Sequence, residues 1–237
     1  MKQGTQSSQN PVEIRQMFND IAPTYDRLNH LLSFGLDKRW RAKAISFLSE
    51  YRNGTFLDIA AGSGDVSFDL LQLLPQRIVA VDFAPNMLNV FREKIHLITH
   101  HAPIEVLQGD ALDLPFDNGT FDGTIVAFGI RNFSDRLLGL REMMRVLKPG
   151  GTSVILELSK PRAPVISQCY LIYTYAILPL IGKIISKNSS AYTYLPKSIA
   201  DFPEQKSFLQ LMTEAGFHEV VAHTLTFGTV TIYTGKK

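Results

Sequence analysis

TFLDIAAGSGD, Thr55 to Asp65, runs an apolar stretch through an acid and two alanines into a Gly-Ser-Gly turn. Phe56, Leu57 and Ile59 read as a buried strand, Gly62 and Gly64 permit a sharp turn with close backbone approach, and helical spacing resumes from Asp65 to Leu74. Downstream, a second apolar strand, Ile78 to Val81, ends in Asp82. An acid at that place accepts hydrogen bonds from the ribose hydroxyls of a bound adenosine. The pattern suits NAD and S-adenosylmethionine alike, and the details separate them. A dinucleotide fingerprint asks for a third glycine to let the helix pack, whereas Ser67 stands there and Asp58 lies at the end of the strand. A carboxylate near a helix N-terminus repels a pyrophosphate and attracts an ammonium group, which favours S-adenosylmethionine. A plain strand-to-helix connector is the alternative.

With 237 residues, 45% hydrophobic and 19% charged, the chain has apolar material for one well-packed domain. A net charge of +2 points away from nucleic acid, and a pI near 8.6 allows only mild attraction to anionic surfaces. The lone Cys169 rules out an internal disulfide framework and a thiolate zinc cluster, and fits a reducing cytoplasm. The polar opening MKQGTQSSQNP reads as a frayed tail without a secretory signal.

Ile14, Met17, Phe18 and Ile21 make an amphipathic helix over Glu13 to Ala22 that stops before Pro23. In the next stretch, YDRLNHLLSFGLDKRW (Tyr25 to Trp40), polar groups and rings alternate. That mixture suits a pocket wall, and a helical cap anchored by Trp40 is the alternative. A helix over Arg39 to Tyr51 then leads to the Asn53-Gly54 turn. The helix opening at Phe83 to Met87 ends near His96, His100 and His101, which read as a solvated helix end rather than a metal site. Ile104 to Leu107 is a third strand, and Asp110-Ala111 behind it suits an adenine. Phe121 to Phe128 forms a fourth strand and delivers Arg131 and Asn132 to its carboxyl end, where open α/β sheets bind ligands. Surface pairing of Arg131 with Asp135 is the structural alternative. A helix over Asp135 to Leu147 and a fifth strand over Thr152 to Leu158 complete an alternation that argues for a doubly wound parallel sheet.

Val165 to Ile185 breaks the rhythm with a single charge, Lys183. Pro179 and Gly182 interrupt it, so it reads as an inserted helical cover over the ligand cleft rather than a membrane span. Tyr192 to Pro203 reads as irregular chain completing that cover. A helix over Glu204 to Ala215, ended by Gly216, precedes two strands, Phe217 to Leu225 and Thr229 to Tyr233.

Three stretches, YDRLNHLLSFGLDKRW, FGIRNFSD and RVLKPGGTSVILELSKP, resemble the C-methyltransferases of menaquinone and ubiquinone biosynthesis. The likeness runs from about Phe18 to the C-terminus. It implies an α/β fold, a Rossmann-like class I S-adenosylmethionine-dependent methyltransferase with a seven-stranded, mostly parallel sheet and an antiparallel last strand. It also implies one domain over residues 1–237: a tail to 12, a helical cap over 13–52, a cofactor core over 53–160, a substrate cover over 161–203, and a final helix and strand pair over 204–237. Carried over by position, Asp58, Gly62, Ser63 and Gly64 hold the methionine end of S-adenosylmethionine, Asp82 the ribose and Asp110-Ala111 the adenine, with Ala127 beside the cofactor. Ser63 stands for a usual threonine, Ala127 for a serine of some relatives, Leu28 for a signature methionine and Asp37 for a frequent histidine.

The implied chemistry is ring C-methylation of a prenylated quinol, demethylmenaquinol to menaquinol. Alternatives are the ubiquinone-pathway benzoquinol, use of both quinols, or a cofactor-binding scaffold subunit without activity. A ring carbon becomes nucleophilic when its neighbouring hydroxyl loses a proton. Arg131 is expected to stabilise the phenolate or hold a water, Asn132 and Tyr25 to orient the hydroxyls, and Asp26 to act as base or as orienter of Tyr25, with Asn29 and Phe128 against the substrate. No metal is expected. Expected partners are the prenylated quinol, a membrane touched peripherally from the cytoplasm and a second copy in a homodimer.

Overall fold

Apolar runs too short for helices become strands, and stripes of 3.6-residue period become helices that cover them. The computed structural model describes residues 10–98, 102–161, 163–172 and 190–237. His100, His101 and the middle of the expected cover, 173–189, lie outside the described residues, as does the tail before residue 10. The strands are β1 (Thr55–Ile59), β2 (Arg77–Asp82), β3 (Ile104–Gln108), β4 (Phe121–Ala127), β5 (Leu147–Leu158), β6 (His218–Leu225) and β7 (Val230–Lys236). They form one seven-stranded sheet in the order β3-β2-β1-β4-β5-β7-β6. β1 to β5 pair in parallel, and β7 runs antiparallel between β5 and β6. The last strand is therefore the reversed one, as expected.

Chain order reverses between β1 and β4, so the loops leaving their carboxyl ends part and open a crevice there. Alternation along β1 decides what faces what. Leu57 and Ile59 join a core with Val81, Leu140, Met143, Phe208 and Met212 on one side of the sheet. Phe56 joins Ile45, Leu70, Ile78 and Val154 on the other. Asp58 shares the face of Phe56 and is 1% exposed, a buried acid inside an apolar strand.

The helices are α1 (Pro11–Ile21), α2 (Tyr25–Leu32), α3 (Leu36–Ser46), α4 (Asp65–Leu70), α5 (Pro85–Ile98), α6 (Arg136–Val146), α7 (Pro164–Ile172), α8 (Ser190–Ala200) and α9 (Gln205–Ala215). Three readings of the sequence need correction. α1 starts at Pro11, inside the expected tail, because Asn10 Oδ1 accepts from Val12 N at 3.0 Å and proline suits a first helical position. α4 ends at Leu70, followed by one tight turn over Leu71–Leu73, because Pro75 disfavours right-handed helix at Leu74. The stretch expected to be irregular is α8, with Pro196 inside it. Proline removes one helical hydrogen bond, and burial of Ser198 and Ile199 where α8 meets α1 and the 130–132 turn offsets that loss.

Candidate active site

The turn after β1 is shaped by backbone that few side chains tolerate. Gly62 and Gly64 have φ of 57° and 90°. A Cβ on Gly64 would lie 2.2 Å from the ring of Phe91, which is wholly buried. Asp82, at the end of β2, then staples the two loops: its Oδ2 accepts from Gly62 N and its Oδ1 from Ala84 N, both at 2.8 Å. Burial pushes the Asp82 carboxyl above its ordinary pKa, against the pull of those backbone bonds.

Asp58 lies beneath the same turn. Ser67, at the place of the missing third glycine, donates its hydroxyl to Asp58 Oδ2 at 2.6 Å, while Oδ1 is buried without a partner in the chain. Burial pushes Asp58 up to about 7, the Ser67 bond opposes this, and the nearby Asp82 charge adds to it. The unfolded chain releases that proton near 3.8, so the folded state holds it across the window from 3.8 to about 7. The stability linked to it is fully present below 3.8 and is lost as pH rises through 7. In urea unfolding, Asp58→Asn is expected to gain on the wild type progressively up to about pH 7, with a flat difference above it. A pH-independent difference contradicts the assignment.

Two cavities open at the carboxyl ends of the strands. The first, about 130 Å³, is walled by Gly62, Asp82, Asp110, Ala111 and Ala127, with Met87 and Phe133 closing it. Among the described residues its charged lining groups are Asp82 and Asp110, both acids. This donor set fits S-adenosylmethionine, which carries positive charge, and is wrong for a pyrophosphate. Asp58, Ser63 and Gly64 lie behind the wall rather than in it. The second cavity, about 300 Å³, is mostly apolar, with Met17, Leu28, Trp40, Leu158 and Ile199 in its wall and Asn29, Arg131 and Tyr194 among its few polar groups. Phe18, Tyr25 and Phe128 belong to both cavities. The rings of Phe18 and Tyr25 meet edge to face at 6.1 Å, and Trp40 meets Phe128 at 6.2 Å. The mixed polar and aromatic stretch over Tyr25 to Trp40 is thus a pocket wall, folded as α2 and α3.

Arg131 is 6% exposed and does not pair with Asp135. Its Nη1 donates to Glu157 Oε1 at 2.8 Å and to the Phe128 carbonyl, and its backbone N–H donates to Glu157 Oε2 at 3.2 Å. Asp135 instead caps α6 through Leu138 N at 3.0 Å. Burial opposes the guanidinium charge, but Glu157 and the neighbouring phenols of Tyr194 and Tyr25 outweigh it and keep Arg131 protonated. Tyr194 donates to Asn132 Oδ1 at 2.5 Å, and burial pushes its phenol up to about 12, so it stays a donor. The Tyr25 phenol is raised by burial as well, against an Asn29 hydrogen bond and the Arg131 charge.

Asp26 meets the glycine turn instead of the cavities. Its carboxylate accepts from Ser63 Oγ and lies 3.0 Å from Lys94 Nζ, which also reaches Asp65 at 2.6 Å. It lines neither cavity. Asp37 belongs to a network: Ser33 Oγ and Arg41 Nη1 donate to it at 2.7 and 2.6 Å, and His30 Nδ1 is 2.7 Å away. Burial opposes its charge, and the bonds from Ser33 and Arg41 outweigh that and hold its carboxyl below the ordinary range. His30, Asp37 and Asp65 place ligand atoms within 4.8 Å of one another, and Arg41 Nη1 already bridges the two acids at 2.6 and 3.4 Å.

Residues 4–237 match the model of the ubiE/COQ5 methyltransferase family. The chain is 45% identical to the ubiquinone/menaquinone biosynthesis C-methyltransferase UbiE of Geobacter sulfurreducens, over 94% of this chain and 88% of that one. It is 42% identical to the demethylmenaquinone methyltransferase of Bacteroides fragilis, over 95% and 92%. Among solved structures, the [4+2]-cyclase SpnF is similar at a TM-score of 0.71 with 14% identity, covering 99% of this chain and 98% of that one. A putative methyltransferase of Haloferax volcanii, solved with the activator Trm112, is similar at 0.66 with 19% identity, over 92% and 96%. At such identities the structures speak for the fold alone. A family match over nearly the whole length, on a class I sheet whose crevice fits S-adenosylmethionine, places this chain in the ubiE/COQ5 methyltransferase family.

Proposed function

We propose that the chain methylates a ring carbon of a prenylated quinol, demethylmenaquinol to menaquinol, with S-adenosylmethionine held in the polar cavity and the quinol in the apolar one. The observation that carries this reading is the junction, where Phe18, Tyr25 and Phe128 serve both cavities. When bound, S-adenosylmethionine supplies an electrophilic methyl group. Asp82 accepts from the ribose, Asp110 and Ala111 frame the adenine beside Ala127, and Gly62, Ser63 and Gly64 form the turn at the methionine end with the Asp58 carboxyl beneath it. Asn29 and Phe128 lie against the substrate.

Arg131 faces the quinol as a fixed cation and stabilises the phenolate that makes the ring carbon nucleophilic. Its guanidinium cannot be the base; by stabilising the phenolate it lowers the cost of releasing the hydroxyl proton to solvent water. Asn132, held by Tyr194, and Tyr25 orient the ring hydroxyls. Asp26, tied to Ser63 and Lys94, fixes the start of α2 and hence Tyr25. Alignment of the two reactants is worth on the order of 7–11 kcal/mol at best, and the walls at the junction supply it. The relatives bear both menaquinone and ubiquinone names, which keeps the benzoquinol of the ubiquinone pathway as a second acceptor.

The test is turnover of purified protein with labelled S-adenosylmethionine and reduced demethylmenaquinol, beside the benzoquinol precursor. Product from the first alone supports the menaquinone reading, and product from both means dual use. Cofactor binding without product from either overturns the proposal in favour of a scaffold.

A further inference from the structure

We infer that the mouth of the apolar cavity is a docking face for a lipid bilayer with anionic headgroups, Phe34 and Phe227 being the side chains that enter it. The inference rests on the reading of the substrate as a prenylated quinol. Phe34 is 78% and Phe227 79% exposed, whereas most other phenylalanines of the described residues are buried or partly buried. Each projects from a tight turn in which the aromatic residue itself takes a left-handed backbone, φ 53° for Phe34 and 56° for Phe227, followed by Gly35 and Gly228 with positive φ as well. Bulky residues seldom adopt that conformation, and here it holds two rings out in solvent.

The two turns are neighbours although they are far apart in sequence. Phe34 and Thr226 line the same cavity, and Trp40 Nε1 donates to Thr226 Oγ1 at 2.7 Å. Below them, Phe47, just past the end of α3, packs its ring on His223 of β6, with centroids 4.4 Å apart. Two exposed rings therefore stand on turns at the rim of the apolar cavity, where a long apolar tail would leave the protein. Isolated exposed apolar side chains need no explanation, but rings at the rim of an apolar cavity do.

Charge selects the occupant. α3 presents Lys38, Arg39 and Lys43 to solvent, and its single acid, Asp37, is buried among Ser33, Arg41 and His30. The turn over residues 225–229 carries no charge. Aromatic tips beside a row of cations match the bilayer interface, where rings settle at headgroup depth and lysines and arginines meet lipid phosphates. A second copy using the same face would bring the two cationic rows together. A quinol could then keep its tail in the membrane while its ring enters the cavity.

The experiment is flotation of the purified full chain with vesicles of phosphatidylcholine alone and of phosphatidylcholine with phosphatidylglycerol. Phe227→Ser and the pair Lys38→Gln/Arg39→Gln alter residues that line neither cavity. The wild type is expected to prefer the anionic vesicles. Phe227→Ser should bind about tenfold more weakly, and the lysine-arginine pair about tenfold more weakly with most of the salt dependence gone. Both variants should turn over a short-tailed quinol in solution like the wild type and lose rate only on quinol held in vesicles. Wild-type flotation by both variants overturns the inference, as does equal loss of rate in solution and on vesicles. A dimer in sedimentation velocity that Phe227→Ser dissociates, with no vesicle binding, also overturns it. Should no quinol be methylated in any format, the proposed function fails while flotation still reads the docking face.

Discussion

Gly64→Ala is expected to lose S-adenosylmethionine binding and about 2–5 kcal/mol of folding stability. The methyl group would sit 2.2 Å from Phe91 Cδ2 and Cε2, and the ring has nowhere to retreat, being buried and packed on Phe68 at 5.4 Å. The same substitution also strains the backbone, at φ 90°. Gly150→Ala separates the two contributions, because Gly150 has a φ of 79° and a methyl group there would meet no atom of the described residues within 4 Å. The expected order in urea unfolding is wild type, then Gly150→Ala, then Gly64→Ala, with calorimetric cofactor binding lost only in the last. If the two variants are equally stable and both bind cofactor, the close approach of turn and Phe91 does not matter.

Arg131→Lys should lower turnover by about 10²–10³-fold while leaving S-adenosylmethionine affinity nearly intact, since a lysine keeps the charge and loses the planar fork. The obvious truncation misleads. Arg131→Ala strands Glu157, which is wholly buried, and costs about 3–5 kcal/mol of stability whatever its effect on chemistry. Combining Arg131→Met with Glu157→Gln removes both charges, so stability should largely return while turnover does not. Recovery of turnover in the double variant would move Arg131 from the reaction to the scaffold. Parallel loss of cofactor affinity in Arg131→Lys would do the same.

The elements that frame the two cavities were legible because their signals are local. A glycine turn, an acid at a strand end and the turn after β4 that holds Arg131 and Asn132 each depend on a few adjacent residues, and the sheet brings them to one edge. The partners of those residues were not legible. Arg131 meets Glu157 across 26 positions, and Tyr194 meets Asn132 across 62. Surface pairing with Asp135 stays open for Arg131 in the sequence because nothing there states that Glu157 points inward at the same strand end. Tyr194 was missed for a different reason: Tyr192 to Pro203 read as irregular chain, and irregular chain offers no face on which to place a side chain. The Ser33–Asp37–Arg41 network sits at short spacing on α2 and α3 and could have been found by asking which acids of an amphipathic helix fall on its buried side.

The order of the strands also bears on how the molecule is made. Every described residue that walls the first cavity lies at or before Ser134, whereas the apolar cavity is closed by Thr226 and Thr229, between β6 and β7. β7, which must slot between β5 and β6, follows both of them in the chain. Until it leaves the ribosome, the long β5 has an open edge, so a nascent chain that already holds every strand of the parallel part of the sheet still presents a sticky strand. Truncations near the C-terminus should therefore reach the cell as chaperone clients and aggregates before they are seen as inactive enzymes.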